Sequence, residues 1–164
     1  MRTVQIEDLS IEAFLPFGFY AQHLNPGADK IGAPPVEFFR DMVQQDLGQA
    51  TRVSFSTCRV ERRANKIQVC EYHSHTGEAI LPLDGDVLIH VGPASPGRDV
   101  PLDKLRVFRV PRGTLVVLRP GVWHHAPFTV DGEPANVLIV LPERTYANDC
   151  VVVELSEADQ LAIE

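Results

Sequence analysis

Between residues 51 and 155 the chain breaks into short apolar, β-branched runs, and most connections between them are too short to hold a helix. The runs span 52–60, 67–73, 79–83, 87–91, 105–110, 114–118, 136–141 and 151–155. Turn chemistry separates them, as in Leu83-Asp84-Gly85-Asp86, Pro111-Arg112-Gly113, Arg119-Pro120-Gly121 and Asp131-Gly132. A parallel sheet needs crossovers of about a dozen residues or more. The spacing therefore predicts antiparallel strands in a sandwich or barrel. The 11 Gly and 13 Pro fit a chain rich in turns.

At 164 residues the chain is one domain in length. Residues 1–50 read as a helix and loop extension, 51–155 as the β-barrel and 156–164 as a C-terminal helix. Ser10 is placed to cap a short helix through Phe14. Residues 25–35 read as loop, and Phe38, Phe39, Met42, Val43 and Leu47 have the spacing of one helical face. Ser156 with Asp159 resembles a capping box.

Twenty-two acidic residues against 15 basic ones leave a net charge of −7, which argues against nucleic acid as a partner. No apolar run approaches the ~18 residues of a membrane span, and the first ten residues lack the apolar region of a signal peptide. Cys58, Cys70 and Cys150 form no CxxC pair and read as reduced, buried thiols. A cytoplasmic location is expected.

Four of the six histidines fall in two stretches, Glu71-Tyr72-His73-Ser74-His75-Thr76-Gly77-Glu78 and Arg119-Pro120-Gly121-Val122-Trp123-His124-His125. Strand alternation puts Glu71, His73 and, if the strand runs on, His75 on one face. Glu78 returns after the turn at Thr76-Gly77. Imidazole nitrogens and carboxylate oxygens converging from rigid elements suit a divalent transition metal. Glu71, His73, Glu78 and His124 are therefore the expected ligands, with Ni, Mn, Fe, Zn or Co all compatible. His75 or His125 would carry protons, since an ordinary imidazole titrates near pH 6.5. Arg59, on a predicted strand, is the expected carboxylate anchor. Trp123 reads either as core packing or as a stacking face for substrate. His23 and His90 read as surface or packing residues, and Arg62, Arg63 and Lys66 as a solvated hairpin end.

These stretches resemble the two motifs of the cupin superfamily. Glu71, His73, Glu78 and Gly85 match the first, with Glu71 where most cupins carry His. Gly113, Gly121 and His124 match the second, with its proline displaced to Pro120. The resemblance implies a cupin-type double-stranded β-helix, or jelly-roll barrel. Within the superfamily the chain looks most like the ureidoglycolate lyase family. The similar segments are Glu71-Tyr72-His73, Leu81-Pro82-Leu83-Asp84-Gly85, Trp123-His124-His125, Asn148-Asp149-Cys150, and Ala13-Phe14 with Phe17-Gly18. The chain departs from the family at Glu78, where a Gln is usual, and at Ile31-Gly32-Ala33-Pro34-Pro35, where an Asn-Asn-Gly segment is usual. The resemblance implies a metal-dependent lyase cleaving ureidoglycolate, a small carbinolamine carboxylate, to glyoxylate and urea, with Ni as metal, and a homodimer. The alternatives are another metal-dependent cupin enzyme (isomerase, epimerase or oxygenase) or a non-catalytic small-molecule-binding cupin.

Overall fold

The structure, a computed structural model, describes residues 2–164. In chain order, β1 (Arg2–Val4) and β2 (Ile6–Asp8) precede helix α1 (Ile11–Phe14) and strands β3 (Gly18–Gln22), β4 (Lys30–Ala33) and β5 (Val36–Phe39). Then follow β6 (Val53–Val60), β7 (Lys66–Ile67), β8 (Val69–Tyr72), β9 (Glu78–Pro82) and β10 (Val87–Val91). After these come β11 (Arg106–Val110), β12 (Thr114–Leu118), β13 (Phe128–Thr129) and β14 (Ala135–Pro142). Helix α2 (Thr145–Asn148), β15 (Val151–Glu154) and β16 (Leu161–Ile163) complete the chain.

The pairing is nested. β8 pairs with β15, β9 with β14 and β10 with β13, all antiparallel. This is one long hairpin, with its turn between β11 and β12, rolled so that successive pairs fall into two sheets. One sheet has the order β3-β12-β9-β14-β6 and the other β13-β10-β11-β2. The bridges Gly92↔Trp123 and Glu71↔His124 extend the second sheet to β8 and β15. The result is the expected double-stranded β-helix of jelly-roll type. Among the described residues it is formed by two facing sheets, with no ring of continuous pairing.

Two apolar cores follow from strand alternation. Along β14, residues 135, 137, 139 and 141 are buried while their neighbours are half-exposed. β10 is buried on both faces. Val87, Ile89 and Val91 join Phe14, Ile80, Phe108 and Val116 in the inner core between the sheets. Leu88 turns the other way, to an outer core with Ile67, Cys70, Trp123, Phe128 and Leu161. That core is shared with the small sheet β1-β16-β7. Turn fastenings hold the roll: Asp84 Oδ1 accepts from Asn136 N at 2.7 Å, and Asp86 Oδ1 from Arg112 N at 2.9 Å.

The termini differ from expectation in part. Ser10 caps α1 as predicted, its Oγ accepting from Ala13 N at 3.2 Å. The predicted helix over 37–47 is absent. β4 and β5 instead form a hairpin in register Lys30↔Phe39 to Ala33↔Val36, and Asp41 has φ of 51°, which ends any helical path. Val36 and Phe38 stay exposed, so the apolar spacing there serves no buried helical face. At the other end, Ser156 Oγ donates to Asp159 Oδ2 at 2.7 Å, but the link closes only a turn. Leu161–Ile163 then runs as β16 between β1 and β7 in place of the expected C-terminal helix. Three residues with two waiting strand partners gain more from sheet pairing than from a helix too short to nucleate.

Candidate metal centre

The two histidine stretches are neighbours in the second sheet. Glu71 N donates to His124 O at 2.6 Å, His124 N to Glu71 O at 2.8 Å, and Gly121 N to His73 O at 2.7 Å. Gly121 has φ of 81°, a left-handed turn that a side chain would strain. Alternation sends Cys70 and Tyr72 to the outer core and leaves Glu71 and His73 on the inner face. Glu78 opens β9 on the facing sheet, opposite Leu118 of β12. The turn before it requires Gly77: a Cβ there would stand 2.5 Å from the Leu118 carbonyl oxygen. The donors thus reach one point from both walls of the roll.

There, Glu78 Oε2 lies 3.1 Å from His73 Nε2 and 3.0 Å from His124 Nε2. Glu71, His73 and His124 each offer a donor atom within 4.8 Å of the others. His73, Glu78 and His124 are buried. The opposite ring nitrogens are engaged: His73 Nδ1 donates to Asp149 O at 2.6 Å and His124 Nδ1 to Val122 O at 2.9 Å. A proton fixed on Nδ1 aims the Nε2 lone pair inward, the arrangement typical of metal-binding imidazoles. The donor set and its orientation fit a divalent metal.

The electrostatics agree. Burial alone would raise the Glu78 carboxyl, but the two imidazoles outweigh it and hold the carboxyl well below its ordinary value, at about 2. Burial alone would lower His124, but the Glu78 carboxylate outweighs it and lifts the imidazole to about 9. Without a metal, an imidazolium and a carboxylate neutralise each other here. With one, the proton leaves.

Asp149 organises the loop that carries His73. Its Oδ1 and Oδ2 accept from Ser74 N and His75 N, each at 2.8 Å, while its carbonyl takes the His73 Nδ1 proton. Burial opposes ionisation of Asp149, and the two backbone N–H groups overcome it, lowering its pKa. Cys150 Sγ donates to Glu71 Oε2 at 3.5 Å. Burial first, and Glu71 next, push this thiol up to about 12, so it stays a donor. Asp149 and Cys150 thus brace His73 and Glu71, and Cys150 is only partly buried where a buried thiol was expected. Strand pairing of β15 with β8, unknown from sequence, is what brings it there.

Three expected site residues lie elsewhere. The His75 side chain is 84% exposed, with Nδ1 3.3 Å from Asp149 Oδ1, because the loop turns outward after His73. Arg59 is on the outer face of β6, paired with exposed Glu61 at 3.3 Å. Period-2 alternation with buried Val60 could have shown this, since it turns Cys58 inward and Arg59 outward. Trp123 is fully buried in the outer core, its Nε1 donating to Ser95 Oγ at 2.7 Å and its ring edge-on to Tyr72, so it offers substrate no face. His125 is half-buried beside the centre. Burial pulls its pKa down, against the raising field of Glu71, with Arg63 and His124 adding to the lowering.

Comparisons with known proteins follow the same line. The ureidoglycolate lyase of Pseudomonas aeruginosa (strain PAO1) is 28% identical over 169 residues, covering 100% of this chain and 97% of that protein. The ureidoglycolate lyase of Burkholderia mallei (strain NCTC 10229) is 28% identical over 144 residues, covering 85% and 82%. Among solved structures, an oxalate decarboxylase of Bacillus subtilis overlays with a TM-score of 0.44 at 19% identity, over 63% of this chain and 24% of that one. The fold assignment rests on the strand pairing described above, independently of that partial overlay. The ureidoglycolate lyase family matches residues 1–164, and the chain belongs to that family.

Proposed function

We propose that this protein cleaves ureidoglycolate, or a closely similar carbinolamine carboxylate, to glyoxylate and urea at a divalent metal held by Glu71, His73, Glu78 and His124. The observation that carries the reading is the convergence of both His Nε2 atoms on Glu78 while both Nδ1 atoms are bonded to carbonyls. Family membership supplies the substrate class. The nitrogen and oxygen donor set suits Ni, Mn, Fe, Zn or Co.

The reaction moves one proton off the substrate hydroxyl and one onto the departing nitrogen. The O–H electron pair becomes the carbonyl bond as the C–N pair leaves with urea. A metal bound by these residues supplies a Lewis acid that makes the hydroxyl more acidic. His125 is the proton carrier in this scheme. It is half-buried, lies in the field of Glu71, and its lowered pKa leaves it neutral and able to accept at neutral pH. The buried walls around Glu78 and His124 exclude water that would otherwise weaken each charge interaction.

No helix among the described residues is long and apolar enough to cross a membrane. We place the reaction in the cytoplasm and the chain in a homodimer. Supporting the dimer, Ile31, Val36 and Phe38 on the β4–β5 hairpin and Phe55 on edge strand β6 are exposed apolar residues of the kind an interface covers.

The test is direct. Protein saturated in turn with Ni, Mn, Fe, Zn or Co should release urea and glyoxylate in equal amounts from ureidoglycolate. Absence of both products with every metal would remove the proposed substrate. Failure to bind any of these metals would remove the metal centre.

A further inference from the structure

We propose that Arg63 is the specificity-determining cation of this centre and takes the carboxylate of the substrate. This rests on the reading that the substrate is a small carboxylate. Two carboxylates, Glu71 and Glu78, already face the centre, so an anionic substrate needs a positive group beyond the metal to orient it. The expected group, Arg59, faces outward. Arg63 fills the need from the loop after β6.

Its guanidinium is held on two sides. Nη2 donates to the Ala126 carbonyl at 2.7 Å, and Cζ lies 4.0 Å above the Phe128 ring. Both partners follow directly on His124-His125, so the guanidinium is anchored to the strand that carries a ligand. Nε and Nη1 have no protein partner among the described residues. Nη2 forms a different edge of the planar group with each of them and has a second hydrogen beyond the one given to Ala126, so one two-nitrogen edge is left to receive a carboxylate through paired hydrogen bonds.

Arg63 is exposed to solvent, and its anchor Ala126 is the residue after His125. Arg63 lines an open cleft of about 700 Å³ with Arg62, Asn65, Thr129 and Asp131. On its other side its field reaches Cys58 and half-buried His125. Cys58, on the inner face of β6, also feels Glu78. A carboxylate on Arg63 would therefore lie beside the proposed proton carrier, His125, whose neighbour Ala126 anchors the guanidinium. The anchored position also limits what fits: a rigid, pre-placed fork loses little entropy on binding.

The experiment compares glycolate with its uncharged isostere glycolamide, binding to metal-loaded protein by calorimetry. Wild-type protein should favour glycolate. In Arg63→Gln, glycolate affinity should fall roughly 10- to 100-fold, the worth of a charge-assisted pair, while glycolamide affinity and metal content stay unchanged. Arg63→Lys should recover part of the loss, and Arg62→Gln should behave as wild type. Equal glycolate binding by wild type and Arg63→Gln would overturn the proposal, as would parallel loss of both ligands. So would equal binding of the two ligands by wild type. Turnover of ureidoglycolate is read separately: if it is absent while glycolate preference still depends on Arg63, the substrate assignment fails and the carboxylate anchor stands.

Discussion

The molecule buries histidine in two places, and it treats the two differently. His124, in the inner space between the sheets, and His90, in the outer core, are 3% and 1% exposed. His124 has a carbonyl on Nδ1 and the Glu78 carboxylate on Nε2. His90 has Cys70 Sγ 3.7 Å from Nε2, and its Nδ1 has no partner among the described residues. Burial pushes His90 down to about 3, helped by the fields of His124 and His125. The same burial acts on His124 and loses to Glu78, leaving it at about 9. Burial by itself silences an imidazole. Burial with an orienting acceptor on one nitrogen and an anion on the other makes a site that a cation can claim.

Replacing the inner histidines should break this contrast most strongly. His73→Ala and His124→Ala each remove one Nε2 from a centre with few donors and leave Glu78 buried with half its partners. Metal titration followed by elemental analysis should show stoichiometric metal in wild type and none retained in either variant. Urea release should disappear with it. An uncompensated buried carboxylate is also costly, on the order of 3–5 kcal/mol when one partner of a pair is removed. Metal-free variants should therefore melt lower than metal-free wild type. Retention of metal and full activity in His73→Ala would refute the ligand assignment.

That contrast also marks what the sequence could and could not reveal. The strands of the roll were legible because alternation and turn residues are local. The grouping of Glu71, His73, Glu78 and His124 was legible because short spacings around tight turns are local too. Arg59, His75 and Trp123 were misplaced because their direction depends on which sheet covers which face. Arg63 looked like a solvated hairpin end, and only the fold shows it lying over Phe128. Asp149 and Cys150 brace residues more than seventy positions away through β15–β8 pairing. The helix expected over 37–47 gave way to a hairpin for the same reason: apolar spacing was present, but no partner surface received it.

The pH dependence of metal-free protein sharpens the comparison, because the two histidines act on opposite limbs. His124 is raised from 6.5 to about 9 on folding. Its contribution is fully present below about 6.5 and is lost as pH rises toward 9. Glu78 is lowered from 4.5 to about 2. Its contribution is present above about 4.5 and is lost as pH falls toward 2. His90 is lowered from 6.5 to about 3, so the unfolded chain binds the extra proton between those values and stability falls with acid there. Thermal melts across pH should show an alkaline limb above about 6.5 that saturating metal removes, since a ligated imidazole carries no proton. An alkaline limb that is the same with and without metal would separate His124 from the centre.

The smallest expected effect lies at His90, and it is informative because it is small. His90→Leu replaces a neutral, partly unsatisfied imidazole with a side chain of the same kind as Leu88 and Leu161 in that core. An unpaired buried donor or acceptor costs about 1–3 kcal/mol, and the shape change from a flat ring to a branched chain offsets part of that gain. Stability at neutral pH should therefore be unchanged or slightly higher. Metal content and urea release should match wild type, because His90 projects away from the inner face on which Glu71, His73 and His124 converge. The acid limb between about 6.5 and 3 should flatten, as the group responsible for proton uptake in the unfolded chain is gone. The alkaline limb should remain, since it belongs to His124. If His90→Leu instead lost metal, the outer core would be shaping the centre through the strand β10 that both cores share, and the two buried environments would be one coupled unit.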